Sequence, residues 1–148
     1  MMPLSWARRI AARLRGLPAR PRGSRGVGYD WERAAEKALG AAGYTILARN
    51  FRTRSGEIDF VAEEEGVLCF VEVKGRSGVG FGPPAEAVTT EKRRRIFRAA
   101  EAYLQKRRGR RPFCRFDVVA ILEKEGQAPQ IEILRDAFRG PVKRRRRR

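Results

Sequence analysis

A carboxylate and an ammonium group lie two residues apart at the end of an apolar run. The run is FVEVKG, residues 70–75, and the charged pair is Glu72 and Lys74. In a β-strand both side chains point to the same face, about 7 Å apart. A second acid, Asp59, lies thirteen residues upstream in the apolar segment GEIDFVA. Because buried charge needs a partner or an ion, the pattern predicts a divalent-metal site of the kind that acts on phosphates.

The chemistry that this set favours is phosphodiester hydrolysis assisted by Mg²⁺ or Mn²⁺. Asp59 and Glu72 are the predicted metal ligands, and the backbone carbonyl of Val73 is a further oxygen donor between the charged pair. Lys74 would orient or deprotonate the attacking water, or stabilise charge on the phosphate. The structural alternative is a salt bridge between Glu72 and Lys74 within the strand, with Asp59 as a surface acid near a turn.

Three other residues are candidates for the same site. Glu57 shares the expected face of Asp59 and is either a second ligand or an edge charge. Lys92 is either a phosphate contact or a lysine whose stem covers apolar surface. Glu32 either completes the cluster or is a solvated acid near a helix N-terminus. The chain has no histidine, which excludes Ser-His-Asp triads and histidine metal sites. Asp117 is predicted to be a structural acid paired with an arginine.

Two helices and five strands are expected to position these residues. The helices are predicted at about Trp31–Ala42 and 90–107, and the strands at Tyr44–Arg49, Glu57–Ala62, Val67–Lys74, Phe116–Leu122 and Gln130–Leu134. Residues 50–56 are predicted to form a polar turn, and the short acidic turn at 63–66 predicts an antiparallel hairpin. The expected fold is α/β, with a mixed sheet flanked by helices in the order αβββαββ.

Each predicted helix carries an apolar stripe. Asp30 is the expected N-cap of the first helix, whose stripe comprises Trp31, Ala34, Ala35, Ala38 and Ala42. The stripe of the second helix has a clear helical spacing and comprises Ile96, Ala99, Ala100, Tyr103 and Leu104. Lys92 lies one turn before Ile96 and is therefore expected at the start of the inner face.

The formal net charge of +17 is concentrated at the two ends of the chain. Residues 1–26 contain seven arginines, residues 140–148 contain six basic residues, and neither segment contains an acid. We therefore expect a flexible basic arm at 1–27, a domain at 28–138 and a disordered basic tail at 139–148. Such ends typically bind polyanions, although compositional drift toward arginine is the alternative. The basic residues predicted to contact nucleic acid are Arg76, Lys92, Arg93, Arg94, Lys106, Arg107 and Arg108.

Both cysteines, Cys69 and Cys114, lie in apolar surroundings and are predicted to be buried free thiols in a reducing compartment. No apolar run is long enough to span a membrane. The N-terminal segment is rich in arginine and lacks the apolar core of a secretory signal. The sequence therefore predicts a cytoplasmic protein with no membrane partner.

The motifs resemble those of the YraN-like family of uncharacterised bacterial proteins. The resemblance covers residues 28 to 138 and rests on GYDWERAAEKAL, GYTILARNFRTRSGEIDFVA, FVEVKGRSGVGFGPPAEAV and RFDVVAI. That family looks like a branch of the PD-(D/E)XK nuclease superfamily, with a restriction-endonuclease-like fold, and is similar to archaeal Holliday junction resolvases. The resemblance implies that Glu32, Asp59, Glu72 and Lys74 match the active-site positions. One departure is Trp31, where the family commonly has glycine.

The function expected from these observations is that of a Mg²⁺-dependent DNA endonuclease, structure-selective and acting on branched DNA in repair or recombination. One alternative is a non-catalytic nucleic-acid-binding protein that retains the nuclease fold. Another is an RNA-binding accessory factor of the ribosome. A homodimer is also expected, because two sites related by a two-fold axis suit a duplex or a symmetric junction. Its candidate contact surfaces are the loop GRSGVGFGPP and the last strand, IEIL.

Overall fold

The computed structural model describes residues 30–77, 90–123 and 126–140. In chain order the elements are α1 (Trp31–Ala41), β1 (Thr45–Thr53), β2 (Gly56–Glu64), β3 (Val67–Ser77), α2 (Thr90–Lys106), β4 (Cys114–Glu123) and β5 (Gln130–Phe138). The predicted basic arm at 1–27, the tail from 141 onward and most of the loop GRSGVGFGPP lie outside the described residues.

The five strands form one mixed sheet in the spatial order β1-β2-β3-β4-β5. β3 is central and pairs in parallel with β4, whereas the pairings β1–β2, β2–β3 and β4–β5 are antiparallel. Parallel neighbours need a long crossover connection, and the segment containing α2 provides it between β3 and β4. The predicted α/β class, mixed sheet and β2–β3 hairpin are therefore confirmed.

Alternating side chains on β3 build a core on each face of the sheet. Leu68 and Phe70 pack in a cluster with Ile96 and other residues of α2. Cys69 and Val71 point the other way and pack with α1. Since successive strand residues point to opposite faces, α1 and α2 cover opposite sides of the sheet.

The first helix matches its predicted start but differs in its stripe. Asp30 is the N-cap and accepts a hydrogen bond from the Arg33 N–H at 3.1 Å. The fully buried residues of α1 are Ala35 and Leu39, so Leu39 replaces the predicted Ala42 in the stripe. Ala42 is exposed because it follows the last helical turn.

The first strand is longer than predicted, and the expected turn at 50–56 is wrong. β1 continues to Thr53 because Phe51 packs against the α2-side core, edge-to-face with Tyr103 at 5.3 Å between ring centroids. The hydroxyl of Thr53 accepts hydrogen bonds from the N–H groups of Ser55 and Gly56. The turn is therefore confined to residues 54 and 55.

A buried polar network links β2, β4 and β5 on the α1 side. Asp117 is fully buried and accepts hydrogen bonds from the Tyr44 hydroxyl, the Arg115 guanidinium and the Asp136 N–H. Arg115 also donates to Glu64 at 2.6 Å. The prediction that Asp117 is a structural acid paired with an arginine is confirmed.

The two cysteines differ from each other. Both are free thiols and Cys69 is buried, as predicted, but Cys114 is exposed. The prediction of a buried Cys114 is wrong because this residue is the first of β4 and follows an exposed loop.

β1 and β5 are the sheet edges, and β5 is the strand expected to mediate a dimer. Its residue Ile131 is 37% exposed, and the dimer stays a prediction. Among the described helices, neither is both long enough and apolar enough to cross a membrane.

Candidate active site

The candidate site lies where β2 and β3 separate. The ladder between these strands runs from Glu64 and Val67 to its last pair, Phe60 with Val71. Beyond that pair, the Asp59 carboxylate accepts a hydrogen bond from the Val73 N–H at 2.8 Å. The Asp59 side chain thus accepts the hydrogen bond that a backbone carbonyl of the neighbouring strand would accept in a continued ladder. The Val73 contact is made by its N–H, and a role for its carbonyl as a metal ligand stays a prediction.

The carboxyl groups of Asp59 and Glu72 interact directly at this separation. Burial and the negative charge of Glu72 raise the pKa of Asp59 well above its ordinary value, against the opposing effects of the Val73 N–H and Lys92. Glu72 is only 5% exposed. Two carboxylates with so little water repel each other, and a cation between them would relieve that repulsion.

Two lysines supply the compensating charge. Lys92, in the first turn of α2, forms an ion pair with Oε1 of Glu72. Burial and the neighbouring ammonium of Lys92 lower the pKa of Lys74 to about 8. Within the described residues the ion-pair partner of Glu72 is therefore Lys92, rather than Lys74 as the structural alternative assumed.

This donor set fits a small divalent cation. Mg²⁺ is usually held by one or two carboxylates, with water and substrate phosphates completing its oxygen ligands. In the part of the chain that the structure describes, no group of three or more His, Cys, Asp or Glu side chains is arranged to hold a metal ion. The protein would therefore supply Asp59 and Glu72, and Glu72 would have to exchange its ion pair with Lys92 for the cation.

The two other predicted acids do not join this pair. Glu57 forms an ion pair with Arg52 at 3.4 Å. This agrees with the alternative in which Glu57 is a charge at the sheet edge and not a second metal ligand. Glu32 is exposed in the first turn of α1. Its helix begins at the same end of the sheet as the site, because the Trp31 ring packs directly over Gly75. Its catalytic role stays a prediction.

The family can now be identified from the sequence of this region. A family model described as "Uncharacterised protein family UPF0102" matches residues 31–121. The chain belongs to the UPF0102 family. The matched stretch includes Asp59, Glu72, Lys74 and Lys92, so the whole cluster lies within the family's domain.

Relatives of this chain include UPF0102 proteins from several organisms. A UPF0102 protein of Symbiobacterium thermophilum is 48% identical over 115 residues, which are 78% of this chain and 98% of the relative. One from Rhodococcus opacus is 48% identical over 112 residues, 76% of this chain and 95% of the relative. One from Chlorobaculum parvum is 45% identical over 117 residues, which are 76% of this chain and 91% of the relative. The YraN-like family expected from the motifs is confirmed, and its description names no activity.

The predicted nucleic-acid contacts of this UPF0102 protein have different environments. Arg94, Arg107 and Arg108 are exposed, whereas Arg93 is half-buried and donates to the Thr90 hydroxyl at 3.3 Å. Lys106 is exposed and lies over the Phe51 ring, 5.6 Å from its centroid. Lys92 is bound to Glu72, and the side chain of Arg76 lies outside the described part of the structure.

The contact that fixes the end of β3 is not predicted by the sequence patterns. A Cβ atom added to Gly75 would lie 2.0 Å from Cε3 of Trp31. Gly75 directly follows Lys74 and faces the opposite side of the sheet, so this contact determines how closely the start of α1 approaches the end of β3. The only sequence signal was Trp31 itself, which departs from the glycine common in the resembled family.

We expect Gly75→Ala to lower the free energy of unfolding by about 1–3 kcal/mol, because a well-packed contact would be overfilled. In a Trp31→Ala background the same substitution should cost much less, since the ring has been removed. Urea unfolding of the four proteins of this double-mutant cycle measures the coupling. Gly40→Ala is the matched control, because nothing lies within 4 Å of its added Cβ. Equal costs in both backgrounds would contradict the assigned contact.

Proposed function

We propose that this protein is a Mg²⁺- or Mn²⁺-dependent DNA endonuclease with a restriction-endonuclease-like fold, acting on branched DNA in repair or recombination. The observation that carries the proposal is the pairing of Asp59 with Glu72 at the separation of β2 from β3, with Lys74 beside them. The mixed sheet with a helix on each face and the motif resemblance also support it.

Asp59 and Glu72 would hold the cation in this proposal. Asp59 is fixed by the Val73 N–H, and Glu72 is fixed on the rigid central strand next to the parallel β4. When bound, Mg²⁺ would supply Lewis-acid stabilisation of the phosphate and a more acidic bound water. The two acids need no reorganisation of the backbone for this task, because the sheet already holds their carboxyl groups together.

Lys74 would act on the attacking water or on the phosphate. An ordinary lysine is fully protonated near neutral pH, but the pKa of Lys74 is lowered to about 8, first by burial and then by Lys92. A group with a pKa near the working pH can both accept and donate a proton. Its position two residues from Glu72, on the same face of β3, places it beside any phosphate bound at the two carboxylates.

Lys92 would change partners when the site is loaded. Its ammonium neutralises Glu72 in the absence of another cation. A divalent cation at Glu72 would repel this ammonium, and a substrate phosphate would offer it a new negative partner. The phosphate-contact role predicted for Lys92 and its observed ion pair thus describe two states of one side chain.

The direct test is incubation of the purified full-length protein with Mg²⁺ or Mn²⁺ and a panel of linear, flapped and four-way-junction DNAs. The proposal predicts metal-dependent cleavage that favours the branched substrates and disappears in EDTA. Absence of cleavage of every substrate with both metals, from protein that binds the metal, would overturn the catalytic proposal.

We expect Glu72→Ala to abolish saturable Mn²⁺ binding while the fold is retained, and Lys92→Gln to raise Mn²⁺ affinity by about three- to tenfold. The reason for the second effect is that the competing ammonium is removed. Isothermal titration calorimetry measures both affinities, and circular dichroism checks the fold. Glu57→Ala is the matched control, because Glu57 pairs with Arg52 instead. Equal affinity in wild type and Glu72→Ala would show that Glu72 is not a ligand.

A further inference from the structure

A large aromatic side chain is displayed at the end of the sheet opposite the candidate site. Phe113 is 86% exposed, although its backbone is fixed by a 2.9 Å hydrogen bond from the Leu68 N–H to its carbonyl. The ring therefore projects into solvent from an anchored position. An exposed ring of this size has no role in the core, and the aromatic contacts within the described residues involve other side chains.

The loop that presents Phe113 is strongly basic. Arg107, Arg108 and Arg110 are exposed, and none forms an ion pair within the described residues. Arg111 differs, because its guanidinium is paired with Glu101. The loop connecting α2 to β4 thus combines three arginines available for phosphates with one ring available for stacking.

We propose that this Arg-Phe loop, residues 107–113, binds single-stranded DNA, with a base stacked on Phe113 and neighbouring phosphates on Arg107, Arg108 and Arg110. Single strands are bound by this combination of arginines and an exposed aromatic, because every unpaired base offers a free face for stacking. A duplex offers its phosphates but no such face. The Arg-Phe loop is therefore expected to distinguish single strands from duplexes.

The position of the loop relates it to the candidate site. Leu68 pairs with Cys114 at one end of β3, and Lys74 pairs with Ala120 near the other. Six residues of strand separate these pairs by about 20 Å. Arg94 and Arg98 are exposed one turn apart on α2, which runs from one end to the other.

This relation rests on the proposed nuclease function and specifies its substrate. A distance of about 20 Å corresponds to about six nucleotides at the 3.4 Å per-strand spacing of a duplex, and to fewer nucleotides of an extended single strand. The substrate would be a branched DNA whose unpaired strand reaches the Arg-Phe loop within about six nucleotides of the scissile phosphate.

The test is Phe113→Ala in the full-length protein, with binding of a fluorescent 15-nucleotide oligothymidine followed by anisotropy in EDTA. We expect affinity to fall about tenfold, the typical effect of losing one base stack. Phe113→Tyr should retain the wild-type affinity, and Leu47→Ala, which removes another exposed apolar side chain, should leave it unchanged. Wild-type affinity in Phe113→Ala would overturn the proposal.

Salt dependence separates stacking from charge, which matters because the arginine-rich chain ends also bind phosphates. Phe113→Ala should not change the slope of log affinity against log salt. Replacing Arg107, Arg108 and Arg110 by Gln should reduce that slope by about two, since about 0.7 counterion is released per contact with single strands. An equal loss of affinity for a 15-base-pair duplex in Phe113→Ala would overturn the stacking assignment.

Failure of this inference can be distinguished from failure of the proposed function. Binding is measured without metal, so Glu72→Ala should bind the oligothymidine as wild type does. If the wild-type protein cleaves DNA but Phe113→Ala does not weaken oligothymidine binding, only the binding role proposed for the Arg-Phe loop would be overturned. Stacking at Phe113 without any cleavage would leave the loop as a binding site and overturn the nuclease proposal.

Discussion

Lys74→Ala is expected to reduce the rate of DNA cleavage by about two orders of magnitude or more, while Mn²⁺ affinity changes less than about threefold. Lys74 lies beside the two carboxylates without being one of them, so its loss should affect the transition state and spare the metal. Removal of a single group that stabilises transition-state charge typically costs this much. Single-turnover cleavage of a four-way junction, together with calorimetry on the same preparation, measures both quantities.

Two further lysine variants make this prediction specific. Lys37→Ala removes an exposed lysine on α1 and should leave the rate unchanged. Lys74→Arg keeps a permanent positive charge that cannot accept a proton. Activity in Lys74→Arg would indicate charge stabilisation, and its loss would favour proton transfer from water. An unchanged rate in Lys74→Ala would make Lys74 a structural partner of the cluster.

The central part of the site could be predicted because strand alternation is local. Glu72 and Lys74 share a face with Leu68 and Phe70 on any regular strand, and the structure places them so. Lys92 was expected on the inner stripe of α2, and it does reach the sheet. The positions of these three side chains depend only on the side-chain periodicity of the strand or helix that carries them.

The meeting of Asp59 with β3 could not be predicted in the same way. It depends on where the β2–β3 ladder ends and on the hydrogen bond between Asp59 and the Val73 N–H. Asn50 lies near this point on β1 and has a positive φ of 50°. The alternation of apolar and polar residues along a strand does not predict such a conformation. The pairing of strands is a property of the sheet, and a strand's own sequence determines it only in part.

Non-local packing also explains the remaining differences. β1 extends through Phe51 because Tyr103, about fifty residues later in the chain, covers its ring. The contact between Trp31 and Gly75 joins the first helix to the third strand. The sequence does not predict this contact, because the hydrophobic patterns of α1 and β3 can each be explained without it.

The polar network around Asp117 should make the sheet sensitive to the loss of any one partner. It joins Tyr44, Glu64, Arg115 and Arg135 through hydrogen bonds of 2.6–3.2 Å. Hydrogen bonds from Arg135 hold the pKa of Glu64 at about 2, below its ordinary value of 4.5. A pKa lowered by folding stabilises the protein above the ordinary value. The contribution of Glu64 should therefore be present above pH 4.5 and be lost as the pH falls toward 2.

Asp117→Ala is expected to lower the free energy of unfolding by about 3–5 kcal/mol, the usual cost of removing one partner of a buried ion pair. The Tyr44 hydroxyl and the Asp136 N–H would lose their acceptor, and Arg115 would keep only its bonds to Glu64 and to the Tyr44 hydroxyl. Asp117→Asn retains an acceptor oxygen and should lose less, about 1–3 kcal/mol. Urea unfolding at pH 7 measures both variants.

Asp136→Asn is the control for that prediction, because the Asp136 carboxylate is about half exposed and pairs with the exposed Arg139, and asparagine tolerates the positive φ of 49° at this position. Exposed pairs contribute at most about 1 kcal/mol. If Asp117→Ala were as mild as Asp136→Asn, burial of the network would contribute little to stability. A large loss in Asp117→Ala with Mn²⁺ affinity retained at temperatures where the variant is folded would instead separate the two acid clusters of the sheet. The Asp117 network would then stabilise the fold, and Asp59 with Glu72 would remain assigned to the metal.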